Sequence, residues 1–180
     1  MLEDRRLLKK LHQGDQNALR SIYEKHKDDL ITVARCLLGD VAAAEDCLHD
    51  VFVFFAANPS AINIRSSLKG YLIASIANRA RDQLRKRSRQ PVLIAEVPDP
   101  VGRDAEPGVQ MMDCEETNRA VAALAELPFE QREVITLHLQ GEMTFKEISE
   151  LQDVSINTLQ SRYRYGLDKL RTLLNTGAQK

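Results

Sequence analysis

The chain has 180 residues, of which 43% are apolar and 28% charged, with no Trp and a formal net charge of -1. This composition is typical of a folded globular protein and excludes wholesale disorder. The longest apolar run, residues 51–57, is far shorter than the ~20 residues that cross a bilayer, and residues 1–10 lack the apolar core of a secretory signal. We therefore expect a cytoplasmic protein that does not insert into a membrane.

The sequence carries no recognisable catalytic or metal-binding motif. Cys36, Cys47 and Cys114 include no C-x-x-C pair, and the four histidines lack the spacing of metal ligands. H-E-x-x-H, P-loop and G-x-S-x-G patterns are missing from the sequence. We expect buried thiols, no metal, no cofactor and no enzymatic activity.

The first ninety residues show helical spacing of apolar side chains throughout. A short first helix ends near Gly14, and Asp15 is placed to cap a second helix that ends at Gly39. Asp40 is placed to cap a third helix, which stops before Asn58. These signals predict three consecutive helices separated by tight connections.

A fourth helix follows the polar loop of residues 58–67. Its apolar residues recur every four positions and predict one buried face; they are Leu68, Leu72, Ile76, Ala80 and Leu84. Six basic side chains fall within residues 78–89, on its remaining surface and tail. We expect residues 1–90 to form a four-helix bundle with one strongly cationic helix.

The next segment differs in composition from the rest of the chain. Four prolines and two glycines interrupt any periodic pattern between residues 90 and 113. From Glu96 to Glu133 there are ten acidic residues against three basic ones. We predict a flexible acidic linker over residues 91–117, whose charge offsets the cationic helix.

Helical patterning resumes in a second domain, predicted over residues 118–176. Pro128 suits the first position of a helix whose buried face we expect to hold Val134, Ile135, Leu137 and Leu139. Gly141 should end that helix. Thr144 and Glu147 have the spacing of a capping box, so a short helix begins there.

After the turn at residues 152–154, Ser155 is placed to cap a longer final helix. A short helix followed by a three-residue turn and a longer helix is typical of a helix-turn-helix. The second helix of this motif enters the major groove of DNA. Ser149, Asp153 and Leu159 supply the small residue, the residue with positive φ and the aliphatic residue that such a turn requires. The outward residues predicted to contact DNA are Asn157, Thr158, Gln160, Ser161, Arg162 and Arg164.

Both halves of the sequence resemble bacterial sigma factors. LPFEQREVITLHLQGEMTFKEISELQDVSINTLQSRYRYGLDKLR resembles their promoter-recognition domain. GDVAAAEDCLHDVFVFF and GYLIASIANRARDQLRKRSR resemble their core-binding and promoter-melting domain. The presence of only these two domains resembles the extracytoplasmic-function subfamily. The sequence departs from the family's usual residues at Tyr71 (often Trp), Gln160 (commonly Lys) and Gly166 (usually Ala).

The resemblance implies that the first domain recognises the minus-ten element and melts it. Residues 58–67 would form a pocket for a flipped base, with Asn63 and Arg65 as contacts, and Asn78 would order the helix surface. The residues that would bind phosphates are Arg79, Arg81, Arg85, Lys86, Arg87 and Arg89. The second domain would recognise the minus-35 element through the outward residues of its final helix.

The resemblance also implies protein partners. Glu45, Asp46, His49 and Asp50 would bind the beta-prime clamp coiled coil of RNA polymerase core, and the beta flap is a further contact in the family. An anti-sigma factor that wedges between the two domains holds many relatives inactive. The implied function is to direct polymerase core to promoters and to assist their opening. The alternatives are a stand-alone DNA-binding regulator and an enzyme acting on nucleic acid.

Overall fold

The computed structural model describes residues 2–59, 67–89 and 111–177. These ranges contain eight α-helices and no strand, which confirms the predicted all-α class. The helices are α1 (Leu2–His12), α2 (Gln16–Leu38), α3 (Val41–Ala57), α4 (Leu68–Arg89), α5 (Met111–Ala125), α6 (Phe129–Leu139), α7 (Phe145–Gln152) and α8 (Ile156–Gly177).

The first four helices form a bundle around α2. Helices α1, α3 and α4 each pack against α2, and α3 also packs against α4. The largest side chains at the centre are excluded from solvent and include Ile22, Leu37, Phe55, Leu72 and Ile76. Each of these residues belongs to the apolar stripe of its helix, which is why the bundle could be predicted from periodicity.

The predicted caps are present at both ends of α2 and at the start of α3. The Asp15 carboxylate accepts a hydrogen bond from the Asn17 amide at 2.9 Å. Gly39 has φ 72°, and its N–H donates to the Arg35 carbonyl at 2.8 Å. The Asp40 carboxylate accepts from the Ala43 amide at 2.7 Å. These local bonds fix where the helices begin and end.

The remaining four helices pack around α6. Helix α6 contacts α5, α7 and α8 and also α2 and α4 of the first bundle. Five consecutive residues of α6, 133–137, are buried, so this helix is covered on all sides. The two helical groups therefore share one continuous apolar core.

Three details of the second half differ from the sequence-based expectations. Leu139 was expected on the buried face of α6 but is 52% exposed. It lies in the last turn of the helix, beyond the packed residues 133–137. Residues 111–117, assigned to the flexible linker, form the first turns of α5. Pro128 precedes α6 as its N-cap residue instead of occupying the first helical position.

Gly166 shows why this chain departs from the usual alanine. It is buried on α8, and a Cβ there would lie 2.7 Å from Ile135 Cδ1 and 3.1 Å from Gln131 Cβ. Glycine thus allows α8 to approach α6 closely, at a cost of ~1 kcal/mol in helix propensity.

Candidate nucleic-acid interface

The turn between α7 and α8 has the backbone geometry predicted for a helix-turn-helix. Asp153 ends α7 in the left-handed region, with φ 54° and ψ 44°, and so takes the role that glycine often fills. The Ser149 hydroxyl donates to the Val154 carbonyl at 2.6 Å and closes the turn. The Thr158 amide donates to the Ser155 hydroxyl at 3.2 Å, which caps α8 as predicted.

The start of α7 is fixed by the predicted capping box. The Thr144 hydroxyl accepts from the Glu147 amide at 3.3 Å, and the Glu147 carboxylate accepts from the Thr144 amide at 2.8 Å. These bonds to Thr144 hold the pKa of Glu147 below its usual value. Both helices of the motif therefore begin at side-chain caps.

Most of the predicted contact residues on α8 face solvent. Leu159 points inward and is fully buried. The exposed residues are Asn157, Thr158, Gln160, Ser161 and Arg164. Arg162 differs from them, because it is half-buried and lines a cleft toward α4.

The cationic surface of α4 divides into paired and unpaired groups. Arg79 donates to the Asp50 carboxylate of α3, with its Nε at 3.0 Å. Arg81 donates to the Asn78 side chain at 2.9 Å and to Glu133 of α6 at 2.5 Å. The exposed cations are Arg85, Lys86 and Arg87.

Three of the residues predicted to contact the minus-ten element cannot be placed. Asn63 and Arg65 lie outside the described residues, as does the side chain of Arg89. Asn58 ends α3, and its side-chain amide donates to the Phe54 carbonyl at 3.0 Å. Tyr71 is half-buried, with its ring centre 6.2 Å from that of Phe55.

On α3, Glu45, Asp46 and His49 are exposed, whereas Asp50 is occupied by Arg79. An apolar patch that was not predicted from the sequence lies beside them and is formed by Val53, 52% exposed, and Phe54, 58% exposed. The run VFVFF contains the signal for this patch, because five consecutive apolar residues cannot all face one side of a helix.

Glu133 is the functional candidate that sequence analysis did not identify. It is 3% exposed, and its carboxylate meets Arg81 from the other helical group. Burial raises the pKa of Glu133, and the charges of Arg81 and Arg162 oppose that rise. Nothing in the local sequence distinguishes this carboxylate from the other acidic residues nearby.

The described residues contain neither a cluster of metal ligands nor a membrane-spanning helix. No group of three or more His, Cys, Asp or Glu in this part of the chain could hold a metal ion. Among the same residues, no helix is long and apolar enough to cross a membrane.

Two family models match the chain. The model for Sigma-70 region 2 matches residues 22–90, and the model for Sigma-70 region 4 matches residues 117–170. The first match covers most of the α1–α4 bundle, and the second covers the helix-turn-helix together with α6 and part of α5.

Curated relatives and solved structures agree with these matches. The chain is 26% identical to the ECF RNA polymerase sigma factor SigW of Bacillus subtilis over 176 residues, 93% of this chain and 94% of SigW. It is 32% identical to the ECF RNA polymerase sigma factor RpoE of Cereibacter sphaeroides over 139 residues, 74% of each chain. The structure of the sigma factor RpoE of Bartonella quintana, solved with the anti-sigma factor NepR, has the same fold: the TM-score is 0.65 at 22% identity, over 87% of this chain and 96% of that one.

The capped helix-turn-helix and the cationic helix α4 indicate a DNA-binding protein. Both family models and the relative that is 32% identical agree with that function and identify the family. The chain belongs to the ECF sigma factors, which direct RNA polymerase to promoters.

Proposed function

We propose that this sigma factor divides its task between two domains. Residues 1–90 bind polymerase core, recognise the minus-ten element and assist its melting. Residues 118–176 recognise the minus-35 element. Residues 91–117 connect the two domains, and the last seven of these residues extend helix α5.

The observation that carries the proposal is the geometry of α7, Asp153 and α8. A left-handed residue in the turn and a serine cap orient the first turns of α8 away from the core. The exposed amides and hydroxyls at those positions, the exposed Arg164 and the half-buried Arg162 are the kinds of group that contact base edges and phosphates. The free N–H groups of the first helical turn also attract a phosphate.

The minus-ten contacts are proposed for α4. Arg85, Lys86 and Arg87 form an exposed cationic segment that fits a phosphate backbone. Arg79 and Arg81 belong to the same surface but are held by Asp50 and Glu133 when the chain is free. Asn63, Arg65 and Arg89 complete the predicted surface.

The chain acts by binding and performs no covalent chemistry in this proposal. Opening the duplex costs a few kcal/mol per base, and capture of an exposed base in a pocket offsets that cost. The side chains before α4 would supply the pocket, and the cations of α4 would hold the displaced strand. The site of action is the cytoplasm, where the polymerase is found.

Polymerase core is the proposed partner of α3. Glu45, Asp46 and His49 form a polar, exposed strip suited to the beta-prime clamp coiled coil. Asp50 borders this strip and also orients Arg79. The beta flap is the proposed partner of the second domain.

An anti-sigma factor is the proposed negative regulator. Support comes from the B. quintana sigma factor RpoE, which was solved together with the anti-sigma factor NepR. A partner purified with this chain from its own cells should suppress promoter-dependent transcription in a reconstituted system. A purified partner that leaves transcription unchanged would argue against this role.

The proposed contact of α8 with the major groove is tested by Arg162→Ala in reconstituted holoenzyme. Arg171→Ala, near the other end of α8, is the control. Loss of a base contact should cost about 1 to 3 kcal/mol of promoter binding and should affect the cognate upstream element most. Arg171→Ala should change binding little. An equal loss on cognate and scrambled DNA would show that Arg162 contacts only phosphate.

The phosphate-binding role is tested by the double change Arg85→Ala with Arg87→Ala. Each lost contact should reduce the slope of log affinity against log salt by about 1 unit, because fewer counterions are released on binding. The measurement is holoenzyme binding to promoter DNA across a salt series. An unchanged slope would remove both residues from the DNA interface.

A further inference from the structure

Helix α1 carries a second cationic surface, which is not part of the DNA contacts proposed above. Its exposed basic residues are Arg5, Arg6, Lys9 and Lys10. None of these four side chains, which we call the α1 cationic face, forms an ion pair with another residue that the structure describes. The α1 cationic face is therefore free to bind a ligand outside the chain.

The acidic residues of α1 do not neutralise this face. Lys25 of α2 donates to the Glu3 carboxylate at 2.6 Å and to the Asp4 carboxylate at 2.7 Å. Both acids lie in the first turn, and their bonds to Lys25 attach the start of α1 to α2. The positive charge that follows them in α1 is left uncompensated.

The arrangement of the four cations opposes the stability of their own helix. Two like-charged pairs have the i,i+4 spacing at which cations on a helix repel each other: Arg5 with Lys9, and Arg6 with Lys10. The helix dipole favours the two lysines in the last turn, but Arg5 and Arg6 gain nothing from it, because its effect is confined to the terminal turns. Residues that oppose local stability without a structural gain are expected at functional sites.

Nucleic-acid phosphate is the ligand that fits the α1 cationic face. The exposed positions between residues 5 and 10 are all basic, with no aromatic or aliphatic anchor among them. Lysine is depleted from protein–protein interfaces, whereas lysine and arginine supply the phosphate contacts of DNA-binding proteins. Insertion into a lipid surface would need the apolar side of α1, but Leu7, Leu8 and Leu11 are used in the core of the bundle.

The start of α1 lies near one end of α4, away from the exposed cations of that helix. His26 of α2 is 3.8 Å from Asp4, measured from Nε2 to Oδ1, and is also within electrostatic range of Lys69 in the first turn of α4. Arg85 lies about 24 Å further along α4 than Lys69. The first bundle therefore presents two separate cationic surfaces.

We propose that the α1 cationic face binds the phosphate backbone of promoter DNA, at phosphates other than those proposed for Arg85, Lys86 and Arg87. The inference rests on promoter binding by the holoenzyme and on none of the residue contacts proposed above. It adds a second electrostatic contact to the first bundle. Because this contact is to the backbone, it strengthens binding without reading base sequence.

The test uses two double variants, Arg5→Gln with Lys9→Gln and Arg6→Gln with Lys10→Gln. Binding of the reconstituted holoenzyme to a promoter duplex is measured across a salt series. Each lost phosphate contact should lower the slope of log affinity against log salt by about 1, so each double variant should lower it by about 2.

Arg119→Gln with Arg171→Gln is the matched control, because it removes two positive charges from exposed positions of the second half of the chain. Its salt slope should equal that of the wild type. Hydroxyl-radical footprinting of the same complexes locates the contact. The α1 variants should lose protection at phosphates that stay protected in the Arg85→Ala with Arg87→Ala variant.

Thermal unfolding separates a binding role from a structural one. Because the like-charged pairs oppose the helix, both α1 double variants should unfold at a midpoint temperature equal to or above that of the wild type. A lower midpoint for both variants would show that the cations stabilise the fold and would argue against the proposal.

Two outcomes would overturn the proposal: an unchanged salt slope in both α1 variants, or an unchanged slope together with weaker binding to polymerase core in the absence of DNA. The second outcome would assign the α1 cationic face to an acidic protein surface. Failure of the contacts proposed for α4 is recognised separately. In that case the Arg85→Ala with Arg87→Ala variant would keep the wild-type slope, while the α1 variants still lowered it.

Discussion

Gly141 contacts both helical groups and leaves no room for a side chain. A Cβ there would lie 2.6 Å from the Leu137 carbonyl oxygen and 3.1 Å from Ile73 Cγ2. Because a carbonyl of the packed α6 helix cannot move aside easily, we expect Gly141→Ala to lower the free energy of unfolding by about 2 kcal/mol or more. Urea denaturation measures this change.

Gly14 is the matched control. It has φ 85°, and a Cβ there would meet nothing within 4 Å, so Gly14→Ala should cost only the ~1 kcal/mol of a left-handed alanine. Equal losses of unfolding free energy for Gly14→Ala and Gly141→Ala would show that the atoms around Gly141 move aside to accommodate a Cβ.

Cys47 is expected to be chemically inert in the folded chain. Burial raises the pKa of its thiol to about 12, and its Sγ lies 3.7 Å from the Ile76 carbonyl oxygen. At pH 8 the thiolate is scarce, so alkylation by iodoacetamide should be roughly a thousandfold slower than for an unperturbed thiol. Mass spectrometry of labelled peptides, with urea-unfolded chain as the reference, provides the measurement. Rapid labelling of native Cys47 would contradict its burial.

Residues 78–89 show what single positions could and could not be assigned from sequence. Their positive charge is evident from the sequence. Arg85, Lys86 and Arg87 are exposed, as expected of a phosphate-binding surface. The ion-pair partners of Arg79 and Arg81 could not be predicted. Asp50 is 29 residues from Arg79 in the chain, and Glu133 is 52 residues from Arg81. No local pattern links such pairs.

At the scale of elements, the capping box of α7 supports a prediction. Thr144→Ala removes the acceptor for the Glu147 amide and should cost about 1 kcal/mol of stability. It should also weaken promoter binding by the holoenzyme, because α7 supports the turn that orients α8. Thr172→Ala is the control, since its hydroxyl bonds only to the Asp168 carbonyl within an exposed turn of α8. Equal stability losses for Thr144→Ala and Thr172→Ala would show that the capping box does not stabilise α7.

Helix boundaries were predictable where a cap or a turn residue marks them. Asp15, Gly39, Asp40 and Asp153 all take the predicted roles, because capping depends on neighbours within four residues. The start of α5 was missed, since residues 111–117 follow a stretch rich in proline and glycine and carry no capping signal. Leu139 was misplaced because its exposure depends on where α6 stops being covered.

At the scale of the whole molecule, Arg132 connects the two helical groups. Its guanidinium donates to the carbonyls of Leu37 at 2.8 Å, Ala125 at 2.9 Å and Leu127 at 3.2 Å. Arg132→Met leaves these carbonyls without that donor and should lower stability by about 2 to 3 kcal/mol. Because Leu37 belongs to the other group, differential scanning calorimetry should show one transition in the wild type and two in the variant.

Arg119→Met is the control for this effect, because Arg119 donates to the Leu174 carbonyl within the second group alone. That variant should retain a single transition. Two separate transitions in the wild-type protein would show that the groups unfold independently.

The sequence by itself determined the all-helical class, most helix ends and the helix-turn-helix, because each depends on periodicity and capping within a few residues, and its resemblance to sigma factors indicated the family. Only the tertiary structure decided that α6 is enclosed by both groups, that Gly141 and Gly166 permit close packing, and that the buried Glu133 carboxylate pairs with Arg81. These features join residues that are distant in the chain. They depend on burial and on charge pairing in a water-poor interface, which no stretch of sequence displays.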